Sequence, residues 1–510
     1  MSVQSFTHAA ATLLNISNIQ GDILVGLQKD AEKFLFFTIT DVPAFKARLP
    51  MLAALVTSTK SVMDREQDIK AEKASGSGTR LDLRGLNLGF TAPGLDKLLG
   101  NNPVTTSAMI DSSFVAGAQA RAAVLGDELD AWLPAFQGTK IDGVMLVTGP
   151  DETKVNSHAT SIVQLLGSAI AVVHEELGQT RPHRGFEHFG FQDGISQPGI
   201  RGLTPPMNPT DPEQGLPGQD LIHPGEFVFG YPGQVDRFDP SFPDATKETT
   251  GPIVEPPFVW MNDGAYMVFR RLEQRVLAFQ KFVKDESRVL GMDEGLLAAR
   301  LVGRWPSGAP LVLAPLQDDA ALGADATKNN HFEFQHEDAS QRRCPYAAHI
   351  RKTYPRDDLN DAPGIPALAG EGGEASVQTR RLRRAGIPFG REVNDSEVIG
   401  SEASRGLMFV CYQTSIIDQF EFVQKDWANN DTFVFGKGRP NGSGQVTPGH
   451  DPLIGQVAGD LRVVDELVPN YPTGNTRSSI NITQRFVQAT GAGYFFMPSI
   501  AALLHGPLSQ

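Results

Sequence analysis

The sequence predicts an α+β protein of two halves with a similar plan, and three observations predict it. Runs rich in β-branched and aromatic residues alternate with stretches that carry apolar residues at helical spacing. This alternation occurs twice, before residue 197 and again after residue 257, with prolines and glycines crowded between. No G-x-G-x-x-G follows a strand, which argues against a doubly wound dinucleotide-binding sheet. A duplicated sheet-and-helix architecture accounts for all three.

The elements follow in order. Phe34–Thr40 reads as a strand, and Phe45, Leu49, Leu52 and Leu55 make Val42–Val56 a helix. Leu86–Phe90 is a short strand, and Pro93 sits where a helix starts. Ile141–Thr148 is a third strand. Ile162, Leu166, Ile170, Val173 and Leu177 mark one face of a helix, with His174 late in it, where a cation favours the dipole. Residues 197–257 read as a long irregular connection. Beyond it, Gly264–Leu272 is strand-like and Glu273–Lys284 helical, with Val276, Phe279 and Val283 on one face. Leu407–Ser415 is a strand, Ile417–Trp427 a helix, and Gly493–Met497 a final strand. The glycine-rich insert Ala367–Ala375 reads as a surface loop.

Composition narrows the function. The 510 residues carry 59 acids against 45 bases, a net charge of −14, which is the wrong sign for a nucleic-acid or anionic-membrane binder. The longest apolar runs, Ile162–Val173 and Tyr494–Leu504, fall short of the ~18 residues a membrane span requires. The two cysteines, Cys344 and Cys411, exclude a disulfide framework and multi-cysteine metal sites, and read as buried free thiols. Met1–Phe6 lacks a basic region followed by an apolar one, so no secretory signal is expected, while five N-x-S/T sequons lean weakly towards a secretory history.

Two passages stand out chemically. In Arg181–Pro198, Asp193 lies between Gly190 and Gly194 with Phe186, Phe189 and Phe191 around it. Glycines allow a backbone to approach a ligand closely, and a dry aromatic pocket makes a carboxylate a better general base. The plainer reading is an Asp-Gly turn. In Arg342–Arg356, His349 follows two alanines and precedes Ile350, a small apolar setting in which a neutral imidazole can ligate a metal. The plainer reading is a satisfied core histidine. Arg351, two residues on, is suited to a carboxylate partner.

Five segments in this order are more specific than either passage. They are Asn18–Leu24, Gly190-Phe-Gln-Asp-Gly194 with Ile195–Pro198, Cys344-Pro-Tyr-Ala-Ala-His-Ile-Arg-Lys352, Arg384-Ala-Gly-Ile-Pro-Phe-Gly390 and Gly406–Tyr412. Together they resemble the dye-decolorizing peroxidase family, in particular its fungal members, over about residues 18 to 500. The resemblance implies two ferredoxin-like halves of the dimeric α+β barrel type, with antiparallel sheets and peripheral helices. Residues 1–200 would form the first, 201–257 the connection, and 258–510 the second, haem-binding half.

The resemblance also implies the site. One haem b per chain is held by His349, with Asp193 and Arg384 on the peroxide face. Asp193 shuttles the proton, and the fixed charge of Arg384 stabilises the departing oxygen. Leu407 and Phe409 cap the cavity, Arg351 contacts a propionate, and Asp451 is the carboxylate partner of His349. Trp427 is the surface tryptophan that passes electrons inward from bulky dyes. Phe389 stands where the family often has tyrosine. Asp357, Asp358 and Asp361 suit a manganese ion, although a solvated acidic loop is the plainer reading. Hydrogen peroxide, dyes and phenolic donors are the expected partners, with no nucleic acid or membrane, for a monomer or weak homodimer. An extracellular location follows from the resemblance alone. Two rivals remain, a non-enzymatic haem carrier and a non-haem iron oxygenase using His183, His188 and Asp193.

Overall fold

A computed structural model describes residues 14–510 except 77–80, 82, 139, 205–214, 236–238, 243–244, 360–372, 435–439, 442–443, 446–447, 458–460 and 475–477. The first half contributes β1 (Ala31–Ile39), α1 (Val42–Ala53), β2 (Gly85–Phe90), β3 (Gly143–Gly149), α2 (Glu152–Leu166) and β4 (Ile170–Gln179). The second contributes β5 (Ala265–Gln274), α3 (Val276–Leu290), α4 (Glu294–Val302), α5 (His349–Thr353), β6 (Arg383–Arg384), β7 (Ile387–Phe389), β8 (Gly406–Gln413) and β9 (Val487–Met497). Each half is a β-α-β-β-α-β unit in outline. In β-strand order the sheet runs β4-β1-β3-β2-β9-β5-β8-β6, with β7 also paired to β8. Counting the short β6 and β7 as one strand, within each half the fourth strand lies beside the first, and the third lies between the first and the second.

Helices α1 and α2 both start on carboxylate caps. Asp41 accepts from the Ala44 amide and Asp151 from the Lys154 amide, which satisfies a donor that the helix leaves free. Apolar residues at helical spacing, such as Phe45, Leu49 and Leu52, then turn α1 onto the sheet.

The two halves share one sheet and one core. Strand β2 meets β9 through Phe90 and Phe496, while β9 pairs with β5 along its whole length. Phe36 of β1 packs against Phe269 of β5 at 5.0 Å between ring centroids, and also against Phe136 and Phe495. At the outer edge β4 comes up against β7, where a Cβ on Gly178 would fall 2.3 Å from Ile387 Cγ2. No ladder closes the sheet there among the described residues.

The helix expected to run through Leu177 stops at Leu166, and residues 170–179 are strand β4. Gly167 ends the helix with a φ of 54°, a left-handed conformation that glycine adopts readily. The apolar residues at 170, 173 and 177 fit a helical spacing, but nine residues of β1 offered a partner and the chain paired with them. His174 is therefore a strand residue, and it pairs with Glu176 at 2.8 Å. Ile416–Glu421 and Val423–Ala428 coil as π-helix rather than α-helix.

The connection after residue 197 is irregular, as its composition predicts, yet it is not a passive linker. Phe227, Val228, Phe229 and Tyr231 are buried in the common core. The glycine-rich insert 367–375 lies largely outside the described residues, and Gly373–Gln378 is helical. Both cysteines are buried and free. No helix among the described residues is long and apolar enough to cross a membrane.

Candidate active site

The loop that follows β4 is folded around the partly buried carboxylate of Glu187. Glu187 accepts hydrogen bonds from the Phe189 and Phe191 amides, each at 2.8 Å, and from the Gln274 side chain. Burial raises its pKa, against the pull of those donors. Gly190 and Gly194 adopt φ values of 99° and 81°, so the chain turns sharply on either side of Asp193. Asp193 is left 42% exposed, facing a cavity rather than the core.

Arg384 reaches the same place from β6, which the Cys411 pairing holds against β8. Its Nη1 donates to Asp193 Oδ1 at 3.2 Å. The Gln197 amide side chain holds the Arg384 backbone at both ends, donating to its carbonyl at 2.6 Å and accepting from its N–H at 3.3 Å. Leu407 and Phe409 alternate on β8 with buried Met408 and Val410, and so present one apolar face to the cavity.

His349 begins α5 and lines the same cavity. Ala347 and Ala348 are fully buried beside it, and the ring is 29% exposed, towards the cavity. Its Nδ1–H donates to Asp451 Oδ2 at 2.8 Å, and Asp451 is wholly buried. Asp451 Oδ1 accepts from the Leu453 and Ile454 amides at 2.8 and 2.9 Å, which fixes the carboxylate. Burial works to lower the imidazole pKa, but the Asp451 charge overrides it and leaves it raised. The His349 Nε2 has no partner among the described residues.

Asp193, Arg384, His349, Leu407 and Phe409 line one cavity of about 270 Å³, with Asp451 buried behind His349. Its apolar walls include Leu272, Val302, Ile350, Leu453 and Val487. A second cavity of about 260 Å³ reaches Asp193, Arg384 and Leu407 from the other side. The sequence reasoning therefore brought together Asp193, Arg384, His349, Asp451, Leu407 and Phe409.

Three expectations need correction or reassignment. Arg351 does not line the cavity. It is fully buried and bound to Asp358 through Nε at 2.6 Å and Nη2 at 2.8 Å, lying over the rings of Tyr346 and Phe334. Its Nη1 also donates to the Cys344 carbonyl at 2.6 Å, so its charge is already matched by Asp358 away from the cavity. Trp427 is not a surface residue. It is 4% exposed, stacked on Phe433 at 5.1 Å and edge-on to Phe422, yet it lines the cavity. Of the acidic trio, Asp358 is taken by Arg351, Asp357 accepts from the Gln335 and His336 amides, and Asp361 lies outside the described residues. His188, one of the alternative metal ligands, has its Nε2 on the Phe389 carbonyl at 2.8 Å, and His183 packs edge-on to Phe186.

Sequence reasoning missed Glu187, Arg304 and Tyr354 on the cavity wall. An acid set within an aromatic run was the available signal for Glu187. Arg304 carried none. It is buried, donates to the Gly308 and Asn329 carbonyls and to Ser196 and Asn330, and has no carboxylate partner among the described residues. Burial and the neighbouring Arg356 charge lower its pKa to about 9.

Comparison with known proteins gives a consistent picture. Residues 18–182 match the family model described as the DyP dimeric alpha+beta barrel domain. A dye-decolorizing peroxidase of Exidia glandulosa is 37% identical, over 98% of this chain and 89% of the relative. The multifunctional dye peroxidase DyP2 of an Amycolatopsis species is 31% identical, over 99% and 98%. An ancestral D-type dye decolorizing peroxidase superposes with a TM-score of 0.79 at 37% identity, covering 97% of this chain and 99% of the other. A fungal DyP-type peroxidase from Auricularia auricula-judae superposes with a TM-score of 0.77 at 35% identity, covering 98% and 100%.

Proposed function

Because this chain belongs to the dye-decolorizing peroxidase family, whose members are haem enzymes acting on hydrogen peroxide, we propose that its cavity holds one haem b, with His349 as the iron ligand and Asp193 and Arg384 as the peroxide-cleaving pair. The observation that carries this reading is the meeting of those three side chains in one cavity, although 156 residues of sequence separate Asp193 from His349.

The residues present suit such a group. An imidazole with Nδ1 donated to a buried carboxylate keeps its Nε2 lone pair for a metal. The walls are mainly aliphatic and aromatic, as a flat apolar macrocycle requires. Arg304, a buried cation without an acid partner, offers a counter-charge to a propionate in place of Arg351.

When bound, haem iron supplies the redox chemistry, accepting the oxidising equivalents of peroxide and returning them to donors one electron at a time. The chain's own residues supply the rest. Asp193 takes the proton from one peroxide oxygen and delivers it to the other. Arg384 cannot exchange a proton, and its guanidinium stabilises the negative charge that develops on the leaving oxygen. Leu407 and Phe409 keep that face small and dry, so that peroxide enters and dyes do not. Trp427, at the wall and stacked on Phe433, carries electrons from anthraquinone-type dyes and other bulky aromatic donors, while phenols small enough react directly.

The test is the absorption spectrum of purified protein before and after one equivalent of peroxide, for the parent and for His349→Ala. The expected result is a histidine-ligated Soret band that responds to peroxide in the parent, and loss of haem in the variant. Stoichiometric haem with an unchanged spectrum in His349→Ala would move the ligand elsewhere.

A further inference from the structure

Tyr354 is, among the described residues, the one tyrosine on the cavity wall, although the chain has seven. Two guanidinium groups pack on its ring, Arg381 at 3.8 Å and Arg356 at 4.8 Å. Its hydroxyl donates to Asp220 Oδ2. That carboxylate also accepts from Arg381 Nη1 at 2.9 Å and Gln378 Nε2 at 3.1 Å, and Lys247 approaches its other oxygen at 3.4 Å. Burial works to raise the Asp220 pKa, but Arg381 and Lys247 hold it at about 2, so the group is an anion throughout the working range. Burial and that anion raise the Tyr354 pKa, so the phenol keeps its proton.

A phenol whose hydroxyl already donates to a carboxylate has the arrangement that one-electron oxidation requires. Removing an electron from a phenol makes the O–H strongly acidic, so the proton must leave with the electron. A buried tyrosine without a base has nowhere to send it. We propose that Tyr354 is a second redox-active residue of this enzyme, with Asp220 as its proton acceptor and phenolic compounds as its donors. This rests on the cofactor reading above. In the step, Tyr354 loses one electron to the cofactor that peroxide has oxidised, and its hydroxyl proton moves to Asp220 Oδ2. The products are a neutral tyrosyl radical and a neutral carboxylic acid. A phenolic donor then gives up one electron, which reduces the radical, and its own proton goes to solvent. Asp220 returns its proton to the Tyr354 oxygen, and the pair is restored. Arg381 and Arg356 pack on the Tyr354 ring, and the Arg381 hydrogen bond keeps the Asp220 carboxyl oriented towards the phenol oxygen for the return of the proton.

Freeze-quenched electron paramagnetic resonance after one equivalent of peroxide tests this, in protein grown with ring-deuterated tyrosine and in unlabelled protein. The parent is expected to give a tyrosyl signal whose line shape narrows on deuteration. Tyr354→Phe, which keeps a ring against the two guanidinium groups, is expected to lose that signal while the Soret band and its response to peroxide persist. Asp220→Asn keeps an acceptor oxygen and removes the base, so the signal is expected to form more slowly and with a smaller yield. A tyrosyl signal of unchanged shape and intensity in Tyr354→Phe overturns the proposal. So does a parent whose Soret band responds to peroxide without any tyrosyl signal. Failure of the cofactor reading shows itself separately, as a parent with no Soret band.

Discussion

The Nδ1 proton of His349 and the two amides on Asp451 form a chain that ends in backbone, so the imidazole has one orientation open to it. Asp451→Asn keeps the shape and removes the charge. Cofactor affinity or turnover is expected to fall by about 10–100-fold, with a weaker iron–histidine bond seen by resonance Raman spectroscopy. Arg351 belongs to stability instead. Removing one partner of a fully buried ion pair leaves the other charge without compensation, so Asp358→Ala is expected to cost about 3–5 kcal/mol in urea unfolding. Normal haem content per folded molecule would accompany that loss, whereas a propionate role for Arg351 predicts haem loss first. Trp427 has both a packing contact and a place on the cavity wall. Trp427→Phe keeps an aromatic ring in the stack. Turnover of an anthraquinone dye is expected to fall much further than that of a small phenol, and an even loss across donors would mark a packing role alone.

At the scale of elements, the irregular connection behaves as part of the core. Its Glu226 is buried, with Oε1 accepting from the Gln234 amide at 2.7 Å, and its backbone carbonyl accepts from Gln419 and Thr414. Burial raises the Glu226 pKa to about 7, against the ordinary carboxylate value of about 4.3. The folded protein therefore holds a proton there that the unfolded chain releases between those values. Stability contributed by this group is present below the unfolded pKa and is lost as pH rises through about 7. Glu226→Gln is expected to flatten the fall in melting temperature between about pH 5 and 7, which thermal unfolding across that range measures. The strand β4 illustrates the same dependence on neighbours. Its residues carry an apolar spacing that suits a helix, and the exposed edge of β1 decided otherwise.

At the scale of the molecule, the halves cannot be separated energetically. Phe36 belongs to the first half, and its ring contacts Phe269 and Phe495 of the second. Phe36→Ala is expected to cost about 3–5 kcal/mol through lost burial and the cavity left behind. The loss should appear in one transition, with haem absorbance and intrinsic fluorescence changing together on heating. Two separated transitions would show that the halves melt independently. The site depends on this union, because Asp193 leaves the first half directly after β4 while His349, Arg384 and Asp451 belong to the second.

The sequence by itself determined most strand positions and the α+β class, and it singled out Asp193 and His349 as candidates beside plainer readings, while Arg384 was legible only through resemblance. Those signals are local, since a turn glycine, a small residue beside a histidine and a β-branched run act over a few positions. Asp451 was legible only through resemblance, because nothing local to an Asp-Pro pair points to a histidine 102 positions away. Tertiary structure alone decided that Arg351 turns to Asp358, that Trp427 is enclosed by Phe433, and that Tyr354 meets Asp220 across 134 residues. In each case the side chain had several chemically adequate partners, and only the packing of distant elements selected the one it would be buried against.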